Sequence, residues 1–409
     1  MPDICLYLQV HQPYRVRPYR VFDIGTDACY FDAARNRAVI ERVAAQSYGP
    51  TNALLAAAIR ASGGAFRLAL GVTGVLLEQL EAHCPRALES FQALVETGGV
   101  ELLGETYHHS LAALVDPEEL AEQVERHRAI VRRLFGVTPS VFRNTELLYE
   151  DAMAPRITAL GYRAVLVEGT ARVLGARTPN ALYAAAGAPG LRVLPRNHRL
   201  SDDIAFRFAG RDGARSPLRA ARYAEWIDGS PGDIVGLFLD YETFGEHQPA
   251  ASGIFDFLRE LPGACAARGL RFVHPSTLAA RPPCGVLSVP AITSWADTER
   301  DASAWLGNRM QRAAHERLYA LRSAVEAAGD AALMDAWRRL TTSDHFYYMS
   351  TKRFSDGDVH SYFSPFATPY DAFVAYMNVL QDVEQRAAAN RDAMPVDELR
   401  FLAGMAVAV

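Results

Sequence analysis

Short apolar runs recur through the first two thirds of the chain, at residues 4–10, 66–70, 100–103, 141–142, 164–167, 191–194, 234–239 and 271–273, with helical patterns between them. Runs this short, apolar at successive positions and rich in branched residues, are the signature of strands covered on both faces. Strands alternating with helices make βα units and a parallel sheet. One helix start is explicit: Asp116-Pro117-Glu118-Glu119 supplies a capping acid, a proline at the first position and acids in the first turn, ahead of the pattern at 120–134. Beyond Arg281-Pro282-Pro283-Cys284-Gly285 the strand-like runs give way to helical ones at 302–327, 331–340 and 369–389. The sequence therefore predicts an α/β domain of seven or eight βα units over residues 1–285, a complete or incomplete barrel. A helical domain is predicted over 286–409.

Two of the predicted strands end in acid. Leu237-Phe238-Leu239 runs into Asp240-Tyr241-Glu242-Thr243-Phe244-Gly245-Glu246-His247-Gln248, and Val141-Phe142 runs into Arg143-Asn144-Thr145-Glu146. In parallel α/β folds the carboxyl ends of the strands carry the active-site face, and alternation puts Asp240 and Glu242 on one side. A single acid after a strand is most often a helix cap or a solvated charge. Glu150 and Asp151 fit that description, whereas Asp240 stands among Glu242, Glu246, His247 and Gln248. Breaking a glycosidic bond with retention needs one ionised carboxylate and one protonated carboxyl, roughly 5–5.5 Å apart. Two strand-end acids can supply this, with Arg143 favouring an ionised neighbour and Glu242 raising Asp240 by like charge.

Composition narrows the partners. With 409 residues, 50% of them hydrophobic and 22% charged, the chain has the make-up of a folded globular protein with a large core. A net charge of −5 argues against nucleic acid as a partner. No apolar run approaches the roughly 20 residues needed to cross a bilayer, and Met1-Pro2-Asp3-Ile4-Cys5-Leu6-Tyr7 lacks the basic and apolar regions of an export signal. The five scattered cysteines show no paired spacing, the pattern of reduced thiols in a cytoplasm. The expectation is a cytoplasmic enzyme with no membrane partner and no cofactor; the oligomeric state is left open.

Five ordered motifs carry a family resemblance over nearly the whole chain: His11-Gln12-Pro13, Gly104-Glu105-Thr106-Tyr107-His108-His109, Arg143-Asn144-Thr145-Glu146, the stretch from Asp240 to Gln248, and Thr342-Ser343-Asp344-His345-Phe346-Tyr347-Tyr348-Met349. In these the chain resembles glycoside hydrolase family 57, and within it the α-amylase-like members. The resemblance implies a distorted (β/α)7 barrel with a C-terminal helical bundle packed over the active-site face. It implies a retaining enzyme acting on an α-glucan or maltooligosaccharide, with Glu146 as nucleophile and Asp240 as general acid/base, and with His11, His108, Glu242 and Asp344 lining the sugar subsite. Many relatives carry histidine where this chain has Gln9, and some carry tryptophan just before the nucleophile, where it has Asn144 and Thr145.

Other readings compete. A 4-α-glucanotransferase or branching enzyme would use the same pair with a sugar hydroxyl in place of water; a metal-dependent deacetylase and a non-catalytic glucan binder are further alternatives. No HxxxH or HExxH pair supports a metal, and the adjacent His108 and His109 point to opposite sides on a regular strand. His109 reads as a structural histidine. Tyr241, Phe244, Tyr347 and Tyr348 read as packing more readily than as stacking platforms. The aromatic residues of 344–349 and 361–366 are expected to cover the barrel mouth, and the Arg-rich segment 210–216 to be a surface loop.

Overall fold

The computed structural model describes residues 1–208, 218–352 and 364–393; the segment 210–216 and residues 361–363 lie outside them. The chain divides into two units. The first comprises residues 1–12, 37–109 and 117–301, and the second residues 13–36, 110–116 and 302–409.

Among the described residues the first unit holds ten strands: β1 Asp3–Val10, β2 Leu68–Val72, β3 Val100–Leu102, β4 Val141–Arg143, β5 Ala164–Glu168, β6 Tyr183–Ala185, β7 Ala188–Arg196, β8 Ile234–Asp240, β9 Arg271–Phe272 and β10 Val286–Leu287. One sheet has the order β3-β2-β1-β8 with β9 also on β1, and the other the order β10-β6-β7-β5-β4. Every pairing is parallel except β6 with β7. All eight residues of β1 are buried, as the apolar run from Ile4 to Leu8 requires of a central strand flanked on both sides. Tyr7 stands opposite Ala69 of β2 and Phe238 of β8.

Among the described residues no continuous ladder joins the two sheets; two seams tie their edges instead. At one, the Gly104 amide donates to the Val141 carbonyl and the Arg143 amide to the Gly104 carbonyl, both at 2.9 Å. At the other, the Asn197 amide donates to the Gly236 carbonyl at 2.8 Å. A Cβ on Gly236 would stand 2.6 Å from the Pro195 carbonyl oxygen, so the glycine is what lets β7 come against β8. Through these seams β1, β2, β3, β4, β5, β7 and β8 follow one another as seven parallel strands, a distorted (β/α)7 arrangement. The hairpin partner β6 and the two-residue β10 were not legible in the sequence because so few residues show no period.

Within this unit Cys5, Tyr7, Ala69, Leu103, Val141, Ala164, Leu166, Leu194, Ile234 and Phe238 form one apolar cluster. They recur with the two-residue period of strands facing a common interior. One further step of that period, at the carboxyl ends, lands on Gln9, Glu105, Arg143, Glu168, Arg196 and Asp240. Only Asp240 of these six is partly exposed. Burying polar groups costs free energy unless they are partnered, so this layer must be knitted together, and the site is built on it.

The second unit is helical after residue 302: Ser303–Leu306, Arg309–Ala320, Arg322–Ala327, Ala331–Leu340, Ser343–Tyr347 and Pro369–Ala393. The turn before Arg309 breaks the predicted continuous pattern, because Asn308 and Gln311 form a reciprocal capping box. Asp330 caps the helix at Ala331 by accepting from the amides of Ala332 and Leu333. Trp305, Trp337, Phe346, Tyr376 and Val379 fill its core. The early segment 13–36 belongs here, since Asp382 accepts from the Tyr30 hydroxyl at 2.5 Å and the Asn378 amide group donates to the Tyr19 carbonyl at 3.1 Å.

Candidate active site

Glu146 follows β4 in a tight 3-10 turn, Thr145–Leu147. It has φ 56° and ψ 23°, and Leu147 has φ 54°, a left-handed conformation that non-glycine residues seldom adopt without surrounding support. The support is visible. Thr145 meets Thr106 hydroxyl to hydroxyl at 2.8 Å, the Asn144 side chain donates to the Leu148 carbonyl at 2.9 Å, and the Trp295 amide donates to the Glu146 carbonyl at 3.2 Å.

Two donors converge on the Glu146 carboxylate. The Trp295 indole N–H lies 2.6 Å from Oε2, and His109 Nε2 lies 3.3 Å from Oε1. Burial pushes the acid constant of Glu146 up, but the hydrogen bond and charge of His109, the charge of Arg143 and the Trp295 bond outweigh it and hold Glu146 below its ordinary value. Arg143 is fully buried, and its guanidinium has no hydrogen-bond partner among the described residues. It lies 4.7 Å from the Trp295 ring and 6.0 Å from the Tyr7 ring, where the aromatic faces offset part of its desolvation.

Trp295 comes from a loop fixed by buried charge. Arg196 pairs with Glu168 at 3.1 Å and Asp202 at 2.6 Å, and Arg300 pairs with the same two acids at 3.1 and 2.8 Å. Arg300 also donates to the Trp295 carbonyl at 3.0 Å. The loop residues Asp297 and Arg300 both have φ 53°, again left-handed. With two positive and two negative members the quartet satisfies its own charge, the condition under which buried ions are tolerated.

Asp240 ends β8, opposite Gln9 in register. Burial first, then the charge of Glu146, raises its acid constant to about 6, against the opposing charges of Arg143, His109 and Arg196. No donor grips its carboxyl among the described residues. Glu242 is not among the charges that raise Asp240; burial first, then the Asp240 charge, pushes Glu242 itself up to about 8. It accepts from the Tyr48 hydroxyl at 2.5 Å and from the His11 amide at 3.3 Å. The like charge acting on Asp240 comes from Glu146.

His11 bonds Thr73 through Nδ1 at 2.9 Å and stacks on His109, with ring centroids 4.1 Å apart. Glu146, Asp240, Glu242 and His11 are thus brought together. His108 packs against Tyr107 and donates its backbone amide to the Gln123 side-chain oxygen, while the neighbouring His109 is the histidine that reaches Glu146. His109, read in the sequence as structural, has φ 52°, off regular strand geometry. Trp295 had no signal at all: a lone tryptophan in a loop past the last barrel strand. Asp344 belongs to the second unit, in Ser343–Tyr347, and its charge, after burial, pushes the nearby Tyr348 hydroxyl up. Among the described residues no group of three or more His, Cys, Asp or Glu is placed to hold a metal ion, and no helix is long and apolar enough to cross a membrane.

Fold and site together define a seven-stranded parallel α/β protein with two unequal carboxyls at its strand ends. The family model of glycosyl hydrolase family 57 matches residues 5–290, and the chain belongs to that family. A protein of Methanocaldococcus jannaschii named "Putative alpha-amylase" is 41% identical over 396 residues, spanning 93% of this chain and 84% of the relative. Among solved structures, the family 57 branching enzyme of Thermococcus kodakaraensis superposes with a TM-score of 0.67 at 13% identity, covering 96% of each chain. The 4-alpha-glucanotransferase of Thermococcus litoralis gives 0.65 at 16%, covering 84% of this chain and 56% of its own, and an alpha-amylase of Thermotoga maritima gives 0.58 at 12%, covering 98% and 96%. At these identities the structural likeness is one of fold.

Proposed function

We propose that the protein is a retaining α-glucan hydrolase of α-amylase type, cleaving α-1,4-glucosidic bonds in starch, glycogen or maltooligosaccharides. The observation that carries this is the asymmetry of the two carboxyls: donors from His109 and Trp295 converge on Glu146, and among the described residues none does so on Asp240. A carboxylate held ionised is a nucleophile, and a carboxyl held protonated to about pH 6 is an acid. Glu146 attacks the anomeric carbon while Asp240 protonates the departing glycosidic oxygen. Asp240, now ionised, then takes a proton from the water that attacks the glycosyl-enzyme ester, and Glu146 leaves as the free carboxylate. The relative's name supports the substrate class.

Maltoheptaose incubated with wild type and with Glu146→Gln, and the products resolved by chain length, tests the reading. Shorter oligosaccharides only from wild type, with at least about a 10⁴-fold loss in the variant, are expected for removal of a nucleophile. Products longer than the substrate would transfer the assignment to glucan transfer with the same pair. Wild type inert on maltoheptaose would overturn it. Asp344→Asn tests the subsite role that the family implies for Asp344, which should appear as a raised KM.

A further inference from the structure

Glu105 is a fully buried acid that the reaction above does not use. It lies at the end of the interior column of β3, and its surroundings are built with little room to spare. The Gln9 side-chain amide donates to its Oε2 at 3.0 Å, and the Tyr7 hydroxyl in turn donates to the Gln9 carbonyl oxygen. A Cβ on Gly71 would stand 2.9 Å from Glu105 Oε1 and 3.0 Å from Gln9 Oε1, and would collide with the Tyr7 hydroxyl. The cluster thus fits only because residue 71 has no side chain. On its open side Glu105 Oε2 faces His109 Nδ1 at 3.7 Å, an ion-pair separation too long for a hydrogen bond. The other ring nitrogen of His109 is the one at Glu146.

We propose that Glu105 is a positioning residue: anchored by Gln9, its carboxylate fixes the His109 ring and its charge against Glu146. This rests on the reading of Glu146 as nucleophile. The groups facing His109 are Glu105 on its own segment, Glu146 and Arg143 from the β4 side, Asp240 from β8 and the stacked His11 from the end of β1. His127, from the helix Pro117–Phe135, also acts on Glu105. Burial works against a charged His109, but the two glutamates prevail and lift its acid constant to about 9. Its positive charge in turn lowers both Glu146 and Asp240. Gln9 serves as the bridge that holds Glu105.

The experiment is Glu105→Gln, which keeps the size and the acceptor for Gln9 and removes the charge. In ¹³C,¹⁵N-histidine-labelled protein, with the His109 signals assigned from a His109→Gln spectrum, wild-type His109 should stay protonated through pH 8. In the variant its midpoint should fall by at least about one pH unit, a tenfold loss of proton affinity. A midpoint lowered by that amount still lies above both limbs of the kcat/KM profile, so the imidazole keeps its charge there and the limbs on maltoheptaose should stay in place, with kcat lowered as the ring loses its fixed position and KM within about twofold because the acid does not bind substrate. A purely structural role would lower the melting temperature and leave the His109 midpoint in place; that result, in a folded variant, overturns the proposal. If Glu105→Gln does not fold, Glu105→Asp keeps the charge but withdraws it by one methylene, and the His109 midpoint should move in the same direction by less. An unmoved His109 midpoint there also overturns it. Full activity in Glu146→Gln would refute the nucleophile reading while leaving the His109 midpoint to report on Glu105, so the two failures are distinguishable.

Discussion

Replacing Trp295 by phenylalanine removes one hydrogen bond to Glu146 and leaves an aromatic ring beside Arg143 and Arg196, whose guanidinium carbons lie 4.7 and 5.7 Å from the ring centre. The lost bond is 2.6 Å long and runs to a carboxylate. Hydrogen bonds to charged groups contribute about 1.5–3 kcal/mol. The Glu146 side chain is 20% exposed, so water replaces part of what is lost, and the lower part of the range applies, about 1.5–2 kcal/mol. At 1.36 kcal/mol per unit, that raises the acid constant of Glu146 by about 1–1.5 pH units. Glu146 must be ionised to attack, so activity falls as pH drops through its acid constant, and the acidic limb of kcat/KM should move up by that amount. The alkaline limb, set by Asp240, has no contact with Trp295 and should stay. The assay is kcat/KM on maltoheptaose from pH 3 to 9, with circular dichroism to establish folding. An acidic limb that moves by less than about 0.3 unit would show that the indole does not stabilise the charge on Glu146, and the electrostatic account of the site would fall.

Further outcomes follow from the same geometry. In wild type the alkaline limb should lie at about 6, because Asp240 is raised to that value and the reaction needs it protonated; a limb above 8 would exclude Asp240 as the acid. Glu242→Gln should leave that limb in place, since Glu242, pushed up to about 8, is already uncharged there; a downward shift would show that Glu242 is charged after all. Gly71→Ala should cost about 1–3 kcal/mol in urea denaturation, the usual penalty of overpacking, because the new methyl meets Tyr7, Gln9 and Glu105. Arg300→Met should cost about 2–3 kcal/mol, somewhat below the value for a fully buried pair because Arg300 is 20% exposed. It should also lower kcat by loosening Trp295, and an unchanged melting midpoint would refute the structural weight given to the quartet.

Local sequence determined much of this protein. The doubly apolar runs can only be strands covered on both faces, and they became β1, β5 and β8 within a residue or two. The polar breaks at their ends placed Glu146 and Asp240 at a rim before any coordinates, because a polar group that stops a buried strand must find partners or water. Neighbours along the chain also pointed to Arg143 as the charge beside Glu146, as the structure shows. What tertiary structure alone decided are the contacts across long separations in sequence. Trp295 lies 149 residues from the carboxylate it bonds, and Glu105 lies 96 from the glutamine that anchors it. His109 was left out of the site because the carboxylate it meets lies 37 residues further along the chain and no local pattern links the two. The charge state of Glu242 was misjudged for a related reason: proximity along the chain suggested a repelling carboxylate, but burial, which only the fold creates, keeps it neutral. Periodicity reports which residues are inside; which of the inside polar groups meet is set by how the strands close around them.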